Sequence, residues 1–177
     1  MAHHLRAAGG ASFPAPICVD ASVRVALVGA GAVGARAARQ LVSTSTVETV
    51  LVSDVDHERA QAVVASLGDD RAAVARDADD VDVAVLTSPG HLHAEAASRY
   101  LAARVPVVSV ADGVDDVRAL LALDDVAKRN GVTVAVGAGF SPGLTCVLAA
   151  HAAATLDHVD EVEVNRLQDL HNEALRA

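Results

Sequence analysis

Six residues, Gly29-Ala30-Gly31-Ala32-Val33-Gly34, follow directly on a short apolar run, Val23 to Val28, and are answered about twenty residues later by Asp54. Glycines at the first, third and sixth positions of a strand-to-helix turn, with a carboxylate ending the next strand, form the fingerprint of dinucleotide binding. Gly29 supplies the tight turn, Gly31 lacks the Cβ that would hold a pyrophosphate off the backbone, and Gly34 lets the helix pack closely on the strand. The amides of the helix start, around Ala32 and Val33, then face the phosphates. The macrodipole there favours an anion by only about 0.3–2 kcal/mol, so tight binding has to come from the whole groove. The alternative is a glycine-rich turn with no ligand.

Asp54 closes Val50-Leu51-Val52-Ser53 and is placed to accept hydrogen bonds from the adenosine ribose hydroxyls. That favours NAD. A carboxylate about 4 Å from a 2′-phosphate repels it by roughly 4 kcal/mol per charge pair at an effective dielectric of 20, and Val55, the next residue, brings no compensating cation. Arg59 lies in the following helix and would accept a 2′-phosphate if its side chain swings back, which keeps NADP open. The alternative role for Asp54 is that of a helix N-cap.

In a sheet of this kind the residues just beyond each strand face the ligand. Thr87-Ser88-Pro89 ends the fourth strand, placing hydroxyls and turn backbone near the pyrophosphate and nicotinamide ribose, or forming a plain turn. His91 and His93 open the next helix. An imidazole there could touch cofactor or substrate, although a helix N-terminus disfavours its protonated form. Asp112 follows the fifth strand and either faces the cleft or caps the helix beginning at Val114. These three are the candidates for the proton-transfer group.

The elements that position these residues alternate strand and helix, which predicts a parallel sheet with crossover helices. The pattern places helices at His57–Leu67, about His91–Ala103, Val114–Arg129 (closed by Asn130-Gly131) and Thr145–Thr155. Strands are predicted at Arg71–Ala75, Val83–Thr87, Val107–Val110 and Val132–Val136. With the first two, that makes six strands, enough for a doubly wound α/β sheet in the order 3-2-1-4-5-6. The expected domain runs over 21–157. Residues 1–20 read as a disordered extension without the basic start and apolar stretch of a secretory signal, and 158–177 as the start of a truncated second domain or a tail. In that last stretch His158–Asn165 reads as one strand, followed by Leu167, Leu170 and Leu175 at amphipathic spacing.

Composition narrows the partners. A net charge of -9 repels phosphate backbones and anionic membrane surfaces, and 2% aromatic residues leave almost no stacking surface for bases, so neither nucleic acid nor membrane is expected. The two cysteines, Cys18 and Cys146, read as free thiols in a reducing cytoplasm. His3-His4 without further ligands does not make a metal site, and no metal is expected.

After the sixth strand comes Gly139-Phe140-Ser141-Pro142-Gly143-Leu144 and an apolar helix. Together with Gly29–Gly34, Asp54 and Thr87–Pro89, this segment resembles the saccharopine dehydrogenase-like oxidoreductases, over roughly Val23 to Asn165. The resemblance implies NAD(P)-dependent hydride transfer at a C–N bond of an amino acid or polyamine, with Gly139–Gly143 as the substrate-side loop. Two departures stand out: Ser141 where such reductases often carry an aspartate, and a chain much shorter than theirs, so that alone it is expected to be inactive. Thr87 to Glu95 also resembles the glucose-fructose oxidoreductase-like dehydrogenases, ranked second because their Glu-Lys-Pro after strand five is here Val110-Ala111-Asp112. A non-catalytic NAD-sensing module is the competing class. The uncovered surface of the last helix predicts a homo-oligomer or a partner chain.

Overall fold

The computed structural model describes residues 22–75 and 80–164. Strands β1 (Val23–Val28), β2 (Val47–Ser53), β3 (Ala72–Val74), β4 (Val83–Leu86), β5 (Val107–Ser109) and β6 (Val134–Ala135) form one sheet in the order β3-β2-β1-β4-β5-β6. Every pairing is parallel. The order reverses between β1 and β4, and at such a switch point ligands bind beyond the carboxyl ends of the strands. The fold class and strand order expected from the sequence are those observed.

Alternation along each strand divides the core between two faces. Val25, Leu27, Val50 and Val52 face helices α1 (Ala32–Val42) and α2 (His57–Leu67), meeting Ala38, Val42, Ala60 and Val63. On the opposite face Ala26, Ala84, Leu86 and Val107 meet α3 (His93–Ala102), α4 (Val114–Leu121) and α5 (Asp124–Asn130) through Ala97, Leu101, Leu120 and Ala127. Small side chains dominate, so helices and sheet approach closely.

Several boundaries differ from expectation. The helix predicted over Val114–Arg129 is two helices, interrupted at Ala122-Leu123. Asp124 and Asp125 thereby stand in the first turn of a new helix, where carboxylates are favoured. The helix predicted from His91 begins as a 3-10 turn over Gly90–Leu92 and becomes α-helical at His93. The strand predicted over Val132–Val136 pairs only at Val134 and Ala135. Residues His158 to Val164 form no strand, because none of the described strands lies beside them to complete a ladder. The predicted extension over 1–20 with Cys18 and His3-His4, and the tail from Asn165 with Leu167, Leu170 and Leu175, lie outside the described residues.

Arg71 clasps the opposite edge of the sheet, a role that its residue type and its place at the start of a strand do not announce. Its guanidinium donates to Asp69 at 2.8 and 3.0 Å, to the Val47 carbonyl at 3.2 Å and to the Val42 carbonyl, tying the end of α1 and the start of β2 to the start of β3. The hydrogen bonds from Arg71 hold the Asp69 carboxyl down to about 2, so the clasp stays ionised well into acid.

The last helix among the described residues, α6 (Leu144–Ala153), has no buried residue. Leu144, Val147, Leu148 and Leu156 are each about half exposed or more, and Cys146 is an exposed free thiol. Among the described residues, no helix is long and apolar enough to cross a membrane.

Candidate dinucleotide-binding site

The glycine turn is held from three sides. Gly29 has φ +106°, and a Cβ on it would come within 2.5 Å of the Ser88 amide nitrogen, so the turn closes directly on the end of β4. A Cβ on Gly34 would overlap the Gly29 carbonyl oxygen and crowd the Thr87 hydroxyl at 2.9 Å, which brings α1 hard against the strand. Gly31 is different. Its backbone is extended (φ -72°, ψ -168°), and a Cβ there would meet nothing within 4 Å. The open space beside Gly31 lies at the N-terminus of α1, which has neither a side-chain cap nor a carboxylate in its first turn. The leading amides of a helix lack intrahelical partners, and here nothing acidic competes with an anion for them.

Asp54 pins this turn to β2. Its Oδ2 accepts from the Ala30 amide at 2.6 Å, and its Oδ1 accepts from the Asp56 amide at 2.9 Å. Asp54 is not the N-cap of α2: that place belongs to Asp56, whose carboxylate accepts from the Arg59 amide at 3.1 Å. The Asp54 side chain is 7% exposed, and the Arg59 guanidinium, 52% exposed, folds back to 3.5 Å from Oδ1 and to 3.1 Å from Asp56. Val55 projects fully into solvent and Val33 is half exposed.

On the other flank Thr87 and Ser88 divide their roles. The Thr87 hydroxyl is turned inward, 2.7 Å from the Gly29 carbonyl and 3.1 Å from that of Val28, so it braces the turn instead of facing the crevice as expected. The Ser88 hydroxyl is buried with no hydrogen-bond partner. Leaving such a group unpaired costs about 1–3 kcal/mol, which suits a donor or acceptor whose partner is a ligand. Pro89 is exposed at the tip of the turn.

The three candidates for proton transfer are placed very differently. His93 is fully buried, with Nε2 2.8 Å from the Ser88 carbonyl and Nδ1 2.8 Å from the Ser109 hydroxyl. A carbonyl only accepts, so Nε2 carries the proton and Nδ1 accepts from Ser109, whose oxygen accepts in turn from the Ala111 amide at 3.2 Å. With both nitrogens committed, His93 clamps β4 to β5 and is no free base. Ser109 was not anticipated, since a serine ending an apolar strand carries no signal until its neighbour is known. His91 and Asp112 are exposed at the rim. Asp112 does not cap α4, whose N-cap is Gly113 without a side-chain cap. Asp116, in the first turn of α4, instead lies against Gly90 and Gly113.

Burial pushes the His93 imidazole below its ordinary value of 6.5. The folded chain therefore takes up less proton than the unfolded one below that value. The stability of this clamp is complete above pH 6.5 and falls as the pH drops from there towards the lowered folded value. Urea midpoints measured from pH 7.5 down to 5 are expected to decline for the wild type and to decline less for His93→Gln, which has a donor and an acceptor but no titration. Equal slopes would place the acid sensitivity elsewhere.

The loop Gly139–Gly143 folds back on the end of β5. Ala138 donates to the Ser109 carbonyl at 3.0 Å, and a Cβ on Gly139 would stand 2.5 Å from the Val110 carbonyl oxygen. Gly139 bridges to Gly143, which has φ +134°. Phe140 is exposed, with Ser141 and Pro142 beside it in the turn. The loop thus shares the carboxyl edge of the sheet with the glycine turn, beside Val110-Ala111-Asp112. Among the described residues, no three His, Cys, Asp or Glu side chains gather as a metal site.

Residues 23–138, more than half of the chain, match the GFO/IDH/MocA model, described as an oxidoreductase family with an NAD-binding Rossmann fold. The chain belongs to that oxidoreductase family. Among solved structures, the GFO/IDH/MocA domain is similar to GenD2 from gentamicin A biosynthesis in complex with NAD, at 27% identity over 76% of this chain and 39% of that one, with a TM-score of 0.59. A dehydrogenase from Chromobacterium violaceum has a TM-score of 0.61 at 24% identity, covering 77% and 41% of the two chains. A myo-inositol dehydrogenase from Corynebacterium glutamicum has a TM-score of 0.55 at 24% identity, covering 76% and 41%. The last two likenesses speak for the fold alone. The chain spans about two fifths of the length of these structures.

Membership in GFO/IDH/MocA reverses the ranking of the two resemblances. The glucose-fructose oxidoreductase-like pattern over Thr87 to Glu95 pointed to the right family, and the saccharopine dehydrogenase-like resemblance has no support in these matches. Glycine turn, carboxylate and apolar strands are common to both groups, so they could not separate them.

Proposed function

We propose that this chain is the cofactor-binding part of an NAD(P)-dependent dehydrogenase of the GFO/IDH/MocA type, acting on a small molecule and using NAD in preference. The observation that carries this is the open space beside Gly31 at the uncapped start of α1, joined by the buried, unpaired Ser88 hydroxyl in the turn that closes on Gly29. In this reading the amides of Ala32 and Val33 face the pyrophosphate, Gly29 and Gly34 shape the turn, and Asp54 orients the adenosine ribose. Ser88, with Thr87 and Pro89 around it, meets the nicotinamide side. The bound dinucleotide supplies the hydride chemistry. The chain's part is to hold it against a pre-braced rim, in which Asp54, Thr87 and His93 link β2, β1, β4 and β5 in turn.

A group for proton transfer is the weak part of this rim. Val110-Ala111-Asp112 stands where the family's Glu-Lys-Pro is expected, and His93 is committed to Ser88 and Ser109, while His91 and Asp112 are exposed at the edge. Hydride transfer needs the reacting carbons held about 3–3.5 Å apart in a closed site, and the edge near Phe140 is open. These 177 residues are therefore expected to bind NAD saturably yet give no NADH with polyols, amino sugars, lysine, saccharopine or polyamines. Calorimetric titration and an absorbance assay with that panel test both halves. Absence of NAD binding overturns the cofactor assignment, and robust NADH production overturns the assignment of an incomplete site. C–N chemistry on an amino acid or polyamine rests on the Gly139–Leu144 segment alone, and product formation with lysine, saccharopine or a polyamine would restore it. A reducing cytoplasm suits the exposed Cys146 thiol, and self-association through the apolar α6 would appear as a concentration-dependent mass in light scattering.

A further inference from the structure

We propose that the Asp116 carboxylate makes this site favour the oxidised dinucleotide over the reduced one, NAD⁺ over NADH, through a charge that the cationic nicotinamide ring feels and the neutral reduced ring does not. This rests on the dinucleotide reading above and goes beyond it by assigning a residue to the redox form of the ligand.

Two glycines make room for this carboxylate. A Cβ on Gly90 would overlap its Oδ2, and one on Gly113 would stand 2.7 Å from the same oxygen. Neither glycine has a positive φ, and Gly113 is extended at φ -69° and ψ 134°, so the backbone would accept other residues at both positions. What the two positions share is the space that Asp116 fills, between the turn after β4 and the start of α4. Asp116 is half-buried there and, among the described residues, forms no hydrogen bond or ion pair. Asp115, beside it, lies in solvent and is spent on Arg118 at 3.4 Å.

Nothing cationic answers this charge along the edge. The stretches that follow β1, β4, β5 and β6, residues 29–33, 87–93, 110–116 and 136–143, contain no lysine or arginine. The positive end of α4 offsets about half of one charge, so a net negative field is left. Its reach is visible at His93, the clamp between β4 and β5: burial dominates and lowers that imidazole, while the Ser88 carbonyl and the Asp116 carboxylate both favour its charged form. His93 Nε2 lies 2.8 Å from the Ser88 carbonyl, so the field felt at His93 also covers the turn assigned above to the nicotinamide side. A half-buried carboxylate is screened less than an exposed one, which lets it separate a cationic ring from a neutral one without touching either. Asp112, exposed at the rim, has the same sign and is screened more fully. Tighter binding of the oxidised form loads the site with the hydride acceptor and lets the reduced product leave.

The test is the affinity of the wild type, Asp116→Asn, Asp116→Ser and Asp115→Asn for NAD⁺ by calorimetry and for NADH by its fluorescence, neither of which needs turnover. The wild type is expected to bind NAD⁺ more tightly than NADH. In both Asp116 variants the ratio of NAD⁺ to NADH affinity is expected to fall roughly threefold to tenfold, the size of one charge acting across a partly screened gap. Asp115→Asn removes the same formal charge from an exposed, paired position, so its ratio should stay at the wild-type value. Urea midpoints tell a folded variant from an unfolded one, and serine at 116 covers the case in which asparagine disturbs the turn. An unchanged ratio in a folded Asp116 variant overturns the proposal, as does an equal fall in Asp115→Asn, or NADH binding more tightly than NAD⁺ to the wild type. Failure of the wild type to bind either form would overturn the cofactor reading itself.

Discussion

Gly31→Val is expected to abolish dinucleotide binding in a chain that remains folded. The backbone of Gly31 is in an extended conformation open to any residue, and a side chain there meets no protein atom within 4 Å. The folded state therefore loses nothing in packing, and its urea midpoint should stay close to wild type. The space that valine fills is the approach to the uncapped amides of α1, so the loss falls on the ligand. A fall in NAD affinity of roughly a hundredfold or more, equivalent to about 2.7 kcal/mol, is the expected calorimetric result. Normal NAD binding by a folded Gly31→Val would put the pyrophosphate elsewhere on the molecule.

Gly34→Val should do the reverse, damaging the fold before any ligand is present. Its Cβ would occupy the position of the Gly29 carbonyl oxygen, itself the acceptor of the Thr87 hydroxyl. Backbone cannot move aside as the end of a flexible side chain can. Relief requires α1 to separate from β1, exposing Ala38 on the buried face of the helix and Ala30 in the turn before it. Overpacking of this kind costs about 1–3 kcal/mol and occasionally more, a large part of the roughly 5–15 kcal/mol that holds a domain together. The expected readout is a lowered urea midpoint or loss of soluble folded protein, seen by circular dichroism without cofactor. A Gly34→Val chain as stable as wild type would mean that α1 rides further from the sheet than described. The pair separates two glycines that a motif treats alike: one keeps space for a ligand, the other for a helix.

The order of strands, the doubly wound topology and the limits of α2 were legible because each depends on local alternation of apolar and polar residues and on short connections. Gly131 in a left-handed conformation closes α5, as the Asn130-Gly131 pair indicated. The interruption at Ala122-Leu123 was not legible, since apolar spacing continues across it and only the two following aspartates hint at a new helix start. The pattern over His158–Val164, alternating valine with acid, is that of a strand, but a strand forms only where a neighbour supplies its hydrogen bonds. In the site, the positions of Gly29, Gly34 and Asp54 were legible as types at a spacing, while their partners were not.

By itself, then, the sequence determined the fold class, the place of the crevice and the carboxylate that borders it. These follow from periodicity and from which residue types a tight turn permits. Only the tertiary structure decided how the polar groups were spent: Thr87 on the Gly29 carbonyl, His93 on Ser88 and Ser109, Asp54 on Ala30, with Ser88 left unpaired. It also brought Arg59 back over Asp54 and turned Asp112 and His91 to the surface. The reason is physical. A hydrogen bond between residues 16 or 58 positions apart exists only once the chain has brought them to within about 3 Å, and no residue type announces which partner it will meet.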